Sequence, residues 1–217
     1  MKLVIKHPFI SLLLLFIIGC LVSLILYFEI NPFRNQREFT PWDSPYMKSL
    51  EVGDIVFRTA YGKESRMIQV VSDGEYSHIA VITEIEPSVK VVHATTNDHP
   101  ELQNQVLLTP IEEFLSADFA KQYLIARPTF LNIDERRVFA GDIHTKIGEP
   151  YVLKSQEYEN LYCTTLLEVP LLKLAPNIKL QYQVLKVPGM NGDYLFPGAF
   201  LELPGMKPLL KDDLWLD

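Results

Sequence analysis

The sequence is poor in cysteine and histidine, and one long stretch of it carries no charge. Its 217 residues include two cysteines and five histidines, which excludes a scaffold held by several disulfide bonds and an array of zinc fingers. An excess of basic residues is also missing. The net charge of -7 argues against a dedicated nucleic-acid-binding protein, so we expect no nucleic-acid partner. Because 48% of the residues are hydrophobic, the chain has enough apolar side chains for a folded core.

The stretch without charge runs from Phe9 to Phe28, which is 20 consecutive residues. A helix of that length is about 30 Å long, the thickness of the hydrocarbon core of a bilayer. We therefore predict that residues 1–30 form a single transmembrane anchor. Lys2 and Lys6 precede the run, so the positive-inside rule places the N-terminus in the cytoplasm. The rest of the chain then lies outside the cytoplasm, on the periplasmic side in a Gram-negative bacterium.

Two other interpretations of the N-terminal segment stay open. A cleaved signal peptide has an apolar core of about 7–15 residues followed by a small-residue cleavage site. Here the apolar run continues to Phe28 and no such site follows. Gly19-Cys20 resembles the end of a bacterial lipobox, in which the cysteine carries a lipid, but Ile17 and Ile18 fit that pattern poorly. We favour an uncleaved anchor.

The rest of the chain divides into a linker and one domain. Residues 31–50 contain three X-Pro dipeptides, which favour turns or extended chain, so this segment is a predicted linker. Residues 51–217 have the length of a single domain. Their hydrophobic pattern predicts an α+β fold, and the order Thr109-Pro110-Ile111-Glu112 predicts a capping box at the start of a short helix. The predicted strands are 53–58, 78–83, 91–94 and 123–126, and the predicted helices are 65–71, 110–115, 134–147 and 162–169.

Cys163 is the one cysteine of the predicted domain. If Cys20 lies in the membrane, Cys163 has no partner for a disulfide bond and is a free thiol. It lies where a loop becomes a predicted helix, and a helix N-terminus stabilises a thiolate and lowers the pKa of the thiol. The alternative is a small buried cysteine with a packing role. We predict that Cys163 is a nucleophile.

Two histidines on neighbouring predicted strands are candidates to act with it. His78 begins the strand 78–83 and is a candidate general base. His93 lies in the next strand, where it could hydrogen-bond the second imidazole nitrogen of His78 and fix its tautomer. The alternatives are an exposed histidine at a strand end and a buried core histidine. Three residues that precede His78 or Cys163 are candidates for a supporting role: Tyr76, Ser77 and Tyr162.

Five short motifs, in this order, resemble the permuted papain-like cysteine hydrolases of the YiiX/YebB type, which are related to the NlpC/P60 superfamily. In this group the histidine strands precede the cysteine helix, whereas in papain the cysteine comes first. The resemblance covers about residues 51–169. The motifs are Gly53 to Phe57, Ser77 to Ile82, Val91 to Ala94, Gly148 to Tyr151, and Tyr162 to Thr164.

The resemblance implies a small antiparallel sheet followed by the nucleophile helix, and a thiol-dependent hydrolase with no cofactor and no metal. It assigns Cys163 as nucleophile, His78 as base and His93 as the third polar residue. The implied chemistry is attack of the thiolate on the carbonyl of an amide, ester or thioester, with the backbone N–H of Cys163 as a candidate oxyanion donor. The chain departs from the pattern twice: His93 and Thr165 stand where these relatives often have glutamate.

The substrate class stays open between a lipid or acyl group and a peptidoglycan peptide, in either case near the membrane. Two other classes of function also stay open. One is a non-catalytic binding module that uses the same fold. The other is a zinc site formed by His78, His93 and Cys163.

Overall fold

The computed structural model of the chain describes residues 16–20, 47–211 and 214–215. The chain divides into two units, Met1–Arg37 and Glu38–Asp217. In the first unit, residues 16–20 are helical and their apolar side chains are exposed. Within the described ranges, no helix combines the length and the apolar character needed to cross a membrane. Most of the predicted anchor (1–30) and of the predicted linker (31–50) lies outside these ranges, so both stay predictions.

The second unit is a mixed α+β fold built on antiparallel strands, which confirms the predicted α+β class and its antiparallel sheet. Nine strands and five helices are described in this unit, besides a 3₁₀ turn at Met47–Ser49. The strands are β1 (Ile55–Thr59), β2 (His78–Glu84), β3 (Lys90–Thr95), β4 (Gln105–Pro110), β5 (Gln122–Pro128), β6 (Tyr182–Val187), β7 (Met190–Leu195), β8 (Met206–Lys211) and β9 (Leu214–Trp215). The helices are α1 (Lys63–Ser72), α2 (Ile111–Phe114), α3 (Ile133–His144), α4 (Thr165–Leu174) and α5 (Gly198–Leu201).

The main sheet is larger than the small sheet expected from the sequence. Its seven strands lie in the order β4-β3-β2-β1-β5-β8-β9, and β6 and β7 form a separate hairpin. β1, β2, β3 and β5 were all predicted, and β2 and β3 pair as the expected antiparallel hairpin. Five strands were missed by the sequence pattern. Of these, β4, β8 and β9 extend the central group on both sides, and β6 and β7 form the separate hairpin.

The sheet carries an apolar core on each face, because its central strands are buried on both sides. Helices α3 and α4 cover one face through buried side chains such as Phe139 and Leu167. The 3₁₀ turn and α2 cover the other face through Met47 and Phe114. Cys163 belongs to the first core, and the segment that precedes α4 therefore lies against the sheet.

The Gly53-Asp54 pair at the start of β1 has a structural role. Gly53 has a φ of +90°, and a Cβ atom added there would lie 2.6 Å from the Cβ of Arg136, so a larger residue is excluded by both strain and contact. Asp54 is fully buried and accepts two hydrogen bonds from Arg127, at 2.7 and 2.8 Å. This motif joins β1 to β5 and α3.

Two of the predicted helix boundaries are wrong. Thr109 does not cap α2: it lies in β4, and the N-cap of α2 is Pro110, which has no side-chain hydrogen bond. Helix α4 continues through Pro170 to Leu174, although the proline was expected to end it. Because Leu171 is fully buried in the core beyond the proline, tertiary packing outweighs the backbone hydrogen bond that Pro170 removes.

Candidate active site

The β2–β3 hairpin brings His78 and His93 together. The Nε2 atom of His78 lies 3.0 Å from the Nδ1 atom of His93, and the two rings meet edge to face. The Nε2 atom of His93 lies 3.0 Å from the Oγ1 atom of Thr109 on β4. His93 has no exposed surface, so both of its ring nitrogens are used inside the protein.

A buried arginine lies beside the two imidazoles. Arg58 is paired with His78 across β1 and β2 and is only 2% exposed. Its guanidinium group donates to the carbonyl of Phe114 at 2.8 Å, binds the carboxylate of Asp98, and lies 4.0 Å from the centre of the Phe114 ring. The rings of His78 and His93 contact the same phenyl ring, at 5.7 and 4.8 Å between centroids. Phe114 is therefore the shared packing surface of this cluster.

The environment keeps both imidazoles neutral. Burial lowers the pKa of His78 well below its ordinary value, and the positive charge of Arg58 lowers it further. Burial also lowers the pKa of His93 to about 3, with a further contribution from Arg58 and an opposing one from Asp98. A neutral imidazole has one unprotonated nitrogen, so His78 has the protonation state that a general base requires.

Asp98 supplies the compensating negative charge. Burial alone would raise the pKa of this carboxyl group, but the charge of Arg58 and the hydrogen bond from its guanidinium lower it to about 2. Its Oδ2 atom lies 3.6 Å from the Nδ1 atom of His93. Asp98 is therefore ionised at neutral pH and balances the charge of Arg58.

Cys163 lies directly before Thr164, the N-cap residue of α4. Backbone N–H groups of Ile79 and Thr164 donate to its sulfur atom and favour the thiolate, but burial outweighs them and raises the pKa of the thiol to about 12. The sequence predicts a lowered pKa at this helix start. The structure differs because the side chain is only 8% exposed, and a thiolate loses most of its hydration there. Cys163 is thus a neutral thiol at pH 7.

Cys163 lies where a polar cleft and an apolar pocket meet. The cleft has a volume of about 260 Å³, and its lining includes His78 and the charged side chains of Arg58, Glu64, Asp98 and Asp118. The pocket has a volume of about 190 Å³ and is lined mainly by aliphatic and aromatic side chains. The residues that line both cavities are Glu64, Ile68, Ser77, Thr96, Tyr151 and Cys163.

The three candidate supporting residues occupy different positions. Ser77 lines both cavities, and its hydroxyl accepts from the backbone N–H of Ala60 at 3.0 Å. Tyr162 lines the apolar pocket, and its hydroxyl accepts from the backbone N–H of Leu195 at 2.9 Å. Tyr76 is buried in the core with its ring 5.8 Å from that of Phe57.

Sequence reasoning missed four residues of this site: Arg58, Asp98, Thr109 and Tyr151. Arg58 gave one signal, a cation within an apolar strand, which needs a buried anion as partner. Its partner is 40 residues away in a loop, a pairing that no local pattern encodes. Tyr151 belongs to the motif that begins at Gly148, and it lines both cavities.

One group of side chains has the spacing of metal ligands. Within the described residues, one ligand atom each of His78, His93 and Asp98 lies within 4.8 Å of the others. The zinc set that the sequence left open as an alternative has Cys163 in place of Asp98. The separations of 3.0 and 3.6 Å are close to the distance of about 3.3 Å between ligands around tetrahedral zinc. However, the carboxylate of Asp98 is already paired with the guanidinium of Arg58. The buried positive charge of Arg58 beside the three ligands would also repel a divalent ion. The spacing therefore fits a metal, but the charges do not.

Comparisons with known proteins identify the fold. No protein-family model matches the chain, and no curated protein sequence matches it. Among solved structures, the chain is similar to the metalloprotein YiiX from Escherichia coli O157:H7, with 18% sequence identity and a TM-score of 0.61. The similarity covers 76% of this chain and 98% of the other. The protein therefore has a YiiX-like α+β fold.

Proposed function

We propose that the protein is a membrane-anchored cysteine hydrolase in which Cys163, His78 and His93 form the catalytic triad. The observation that carries this proposal is the position of Cys163, at the junction of two cavities and on the same cleft as a neutral histidine. A buried thiol that merely packs has no need of a neutral histidine on the same cleft.

The resting protonation states define the mechanism. Because the thiol and His78 are both neutral, the proton moves during attack, and no thiolate–imidazolium pair is stored beforehand. His78 takes the proton as the sulfur atom of Cys163 attacks the carbonyl carbon. The oxyanion accepts a hydrogen bond from the backbone N–H of Cys163. His78 then returns the proton to the leaving group, and water, activated by His78, hydrolyses the thioester to a carboxylic acid.

The apolar pocket favours an acyl group as the part of the substrate that is transferred to Cys163. Met67, Leu153, Met190 and Phe196 line it, and all of these side chains are hydrophobic. A peptidoglycan peptide carries charged and amide groups, which lose hydrogen bonds in such surroundings. The leaving group then lies in the polar cleft, near Glu64 and Asp118. The substrate of this proposal is an acyl ester or thioester whose leaving group is polar.

The uncharged segment between residues 9 and 28 supports a membrane location. Its described part, residues 16–20, is helical, with Phe16, Ile17 and Ile18 exposed. We propose a single-pass anchor with the hydrolase outside the cytoplasm, on the periplasmic side in a Gram-negative bacterium. Protease protection of the domain in intact spheroplasts, instead of digestion, would contradict this orientation.

Hydrolysis assays on the full chain in detergent micelles test the catalytic proposal. The substrates are p-nitrophenyl esters with acyl chains of increasing length, together with a peptidoglycan stem peptide. Cys163→Ala is expected to reduce ester hydrolysis to the background rate. Cys20→Ala, which removes the other thiol, is expected to match the wild type. Full activity in Cys163→Ala contradicts the proposal and favours a non-catalytic binding module.

A metal site is the second candidate, favoured by the ligand spacing of His78, His93 and Asp98 and by the description of the similar YiiX structure as a metalloprotein. If these residues hold zinc, the purified protein contains one zinc per chain. His93→Ala then removes the zinc, and Cys163→Ala retains it. The cysteine mechanism predicts that hydrolysis continues after treatment with a chelator.

A further inference from the structure

Thr109 directs its hydroxyl group at the triad. It is the fifth residue of β4, and it lies opposite Val91 on β3, so that His93 is its diagonal neighbour across the strand pair. The contact of 3.0 Å between its Oγ1 atom and the Nε2 atom of His93 uses the ring nitrogen that His78 leaves free. The hydroxyl is thus the end of a chain that runs from Thr109 through His93 to His78.

This chain has two possible arrangements of protons. In the first, the Nε2–H of His93 donates to Thr109, and the Nε2–H of His78 donates to His93. The Nδ1 atom of His78 then has a lone pair. In the second, Thr109 donates to His93, and the Nδ1–H of His93 donates to His78, which leaves the Nδ1 atom of His78 protonated. Only the first arrangement lets His78 accept the proton of Cys163.

Asp98 acts against the first arrangement. Its carboxylate favours a proton on the Nδ1 atom of His93, from which it lies 3.6 Å away. That distance is longer than an N–H···O hydrogen bond, whereas the contact with Thr109 is 3.0 Å. The same carboxylate is also bound to the guanidinium of Arg58. The first arrangement needs an acceptor at the Nε2–H of the buried His93, and the hydroxyl of Thr109 supplies it. Without the hydroxyl this N–H is buried and unpaired, so its cost and the charge of Asp98 both favour the second arrangement.

We propose that Thr109 is a positioning residue of the hydrolase: its hydroxyl gives the Nε2–H of His93 an acceptor, and so makes available the tautomer in which His78 can accept a proton from Cys163. This inference rests on the proposed function. Thr109 acts through His93 and does not touch the reacting atoms. Without the hydroxyl, both histidines change tautomer together, and His78 presents an N–H to the thiol.

The test uses the full-length protein labelled with ¹⁵N at histidine, in which ring nitrogen shifts distinguish the two tautomers. Substituting the histidines one at a time assigns the signals. In the wild type, we expect His78 and His93 both to carry the proton on Nε2. Thr109→Val, which has nearly the same shape, is expected to change both tautomers and to lower kcat about tenfold with little change in KM. Thr109→Ser, which keeps the hydroxyl, is expected to retain the wild-type tautomers and rate.

Three results would overturn the inference: a proton on Nδ1 of His93 in the wild type, unchanged tautomers in Thr109→Val, or an unchanged kcat in that variant. The shifts are measured without turnover, so they test Thr109 even if Cys163→Ala retains activity and the hydrolase proposal fails. If Thr109→Val does not fold, the ¹⁵N shifts of the wild type and the hydrolysis rate of Thr109→Ser still test the inference.

Discussion

The Nε2 atom of His78 lies 3.0 Å from the Nδ1 atom of His93, and this contact joins a residue of the cleft to a side chain with no exposed surface. The buried histidine cannot reach a substrate, so its effect on one must pass through the other imidazole. It has the geometry of a group that orients a base.

The first prediction concerns this contact. His93→Ala removes the partner of His78 and is expected to lower kcat at least about 100-fold, the lower range for loss of acid–base catalysis, with little change in KM. Steady-state kinetics with a p-nitrophenyl ester measure both constants. His144→Ala, in the last turn of α3, is the matched control and is expected to keep wild-type values. Equal losses in both variants would contradict an orienting role for His93.

The second prediction concerns the thiol of Cys163. Because burial raises its pKa to about 12, alkylation by iodoacetamide is expected to be slow at pH 7. The rate should rise about tenfold with each pH unit up to pH 10, since only the thiolate reacts. The measurement is made by mass spectrometry on Cys20→Ala, in which Cys163 is the remaining thiol. A rate that reaches its plateau near neutral pH indicates a stored thiolate, and would contradict a mechanism in which the proton moves during attack.

The third prediction concerns the pairing of Arg58 with Asp98. Asp98→Asn leaves the buried guanidinium without its counter-charge, and we expect the free energy of unfolding to fall by about 3–5 kcal/mol. The double variant Arg58→Met, Asp98→Asn removes both charges and is expected to recover most of that loss. Urea denaturation measures all three proteins. A double variant as unstable as the single one would show that the pair does not act through its charges.

Acid unfolding provides an independent check of the same pair. The pKa of Asp98 is lowered to about 2 in the fold, from about 3.9 in an unfolded chain. Its ionised form therefore stabilises the protein fully above about pH 4, and this contribution is lost as the pH falls towards 2. The double variant lacks this group, so its stability is expected to change less than that of the wild type over this interval.

The fourth prediction concerns the apolar pocket. Leu153 lines it and is 41% exposed, so Leu153→Trp is expected to narrow the pocket without disturbing a core. The variant should hydrolyse long acyl esters more slowly and leave acetate esters nearly unchanged. Leu102→Trp is the control, since Leu102 is 46% exposed in the loop before β4. If Leu153→Trp slows the hydrolysis of esters of all acyl-chain lengths equally, the pocket does not select the substrate by chain length.

The parts of the fold that were predictable have local signals. Runs of β-branched residues identified β2 and β3, and their hairpin brings His78 to His93. Thr109 shows the limit of such signals. Followed by proline and glutamate, it has the pattern of a helix cap, but β4 pairs with β3 and the hydroxyl binds His93 instead. The pairing of strands far apart along the chain determined its role.

The same limit applies to charge and burial. The helix start at Cys163 was predictable, but the raised pKa of its thiol depends on the sheet that covers it. Arg58 and Asp98 meet only because the strand and the loop that carry them fold together. No pattern in the sequence around Arg58 or around Asp98 indicates that the two residues pair.

The central claim is that Cys163 is a covalent nucleophile, and the most direct test is to trap the acyl-enzyme. Full-length protein is mixed with p-nitrophenyl octanoate, quenched in acid within the first turnovers, digested and measured by mass spectrometry. We predict one octanoyl group on the peptide that contains Cys163 and none on the corresponding peptide of Cys163→Ala. Turnover of the same ester by Cys163→Ala at the wild-type rate, with no acyl group on Cys163 in the wild type, would contradict the claim.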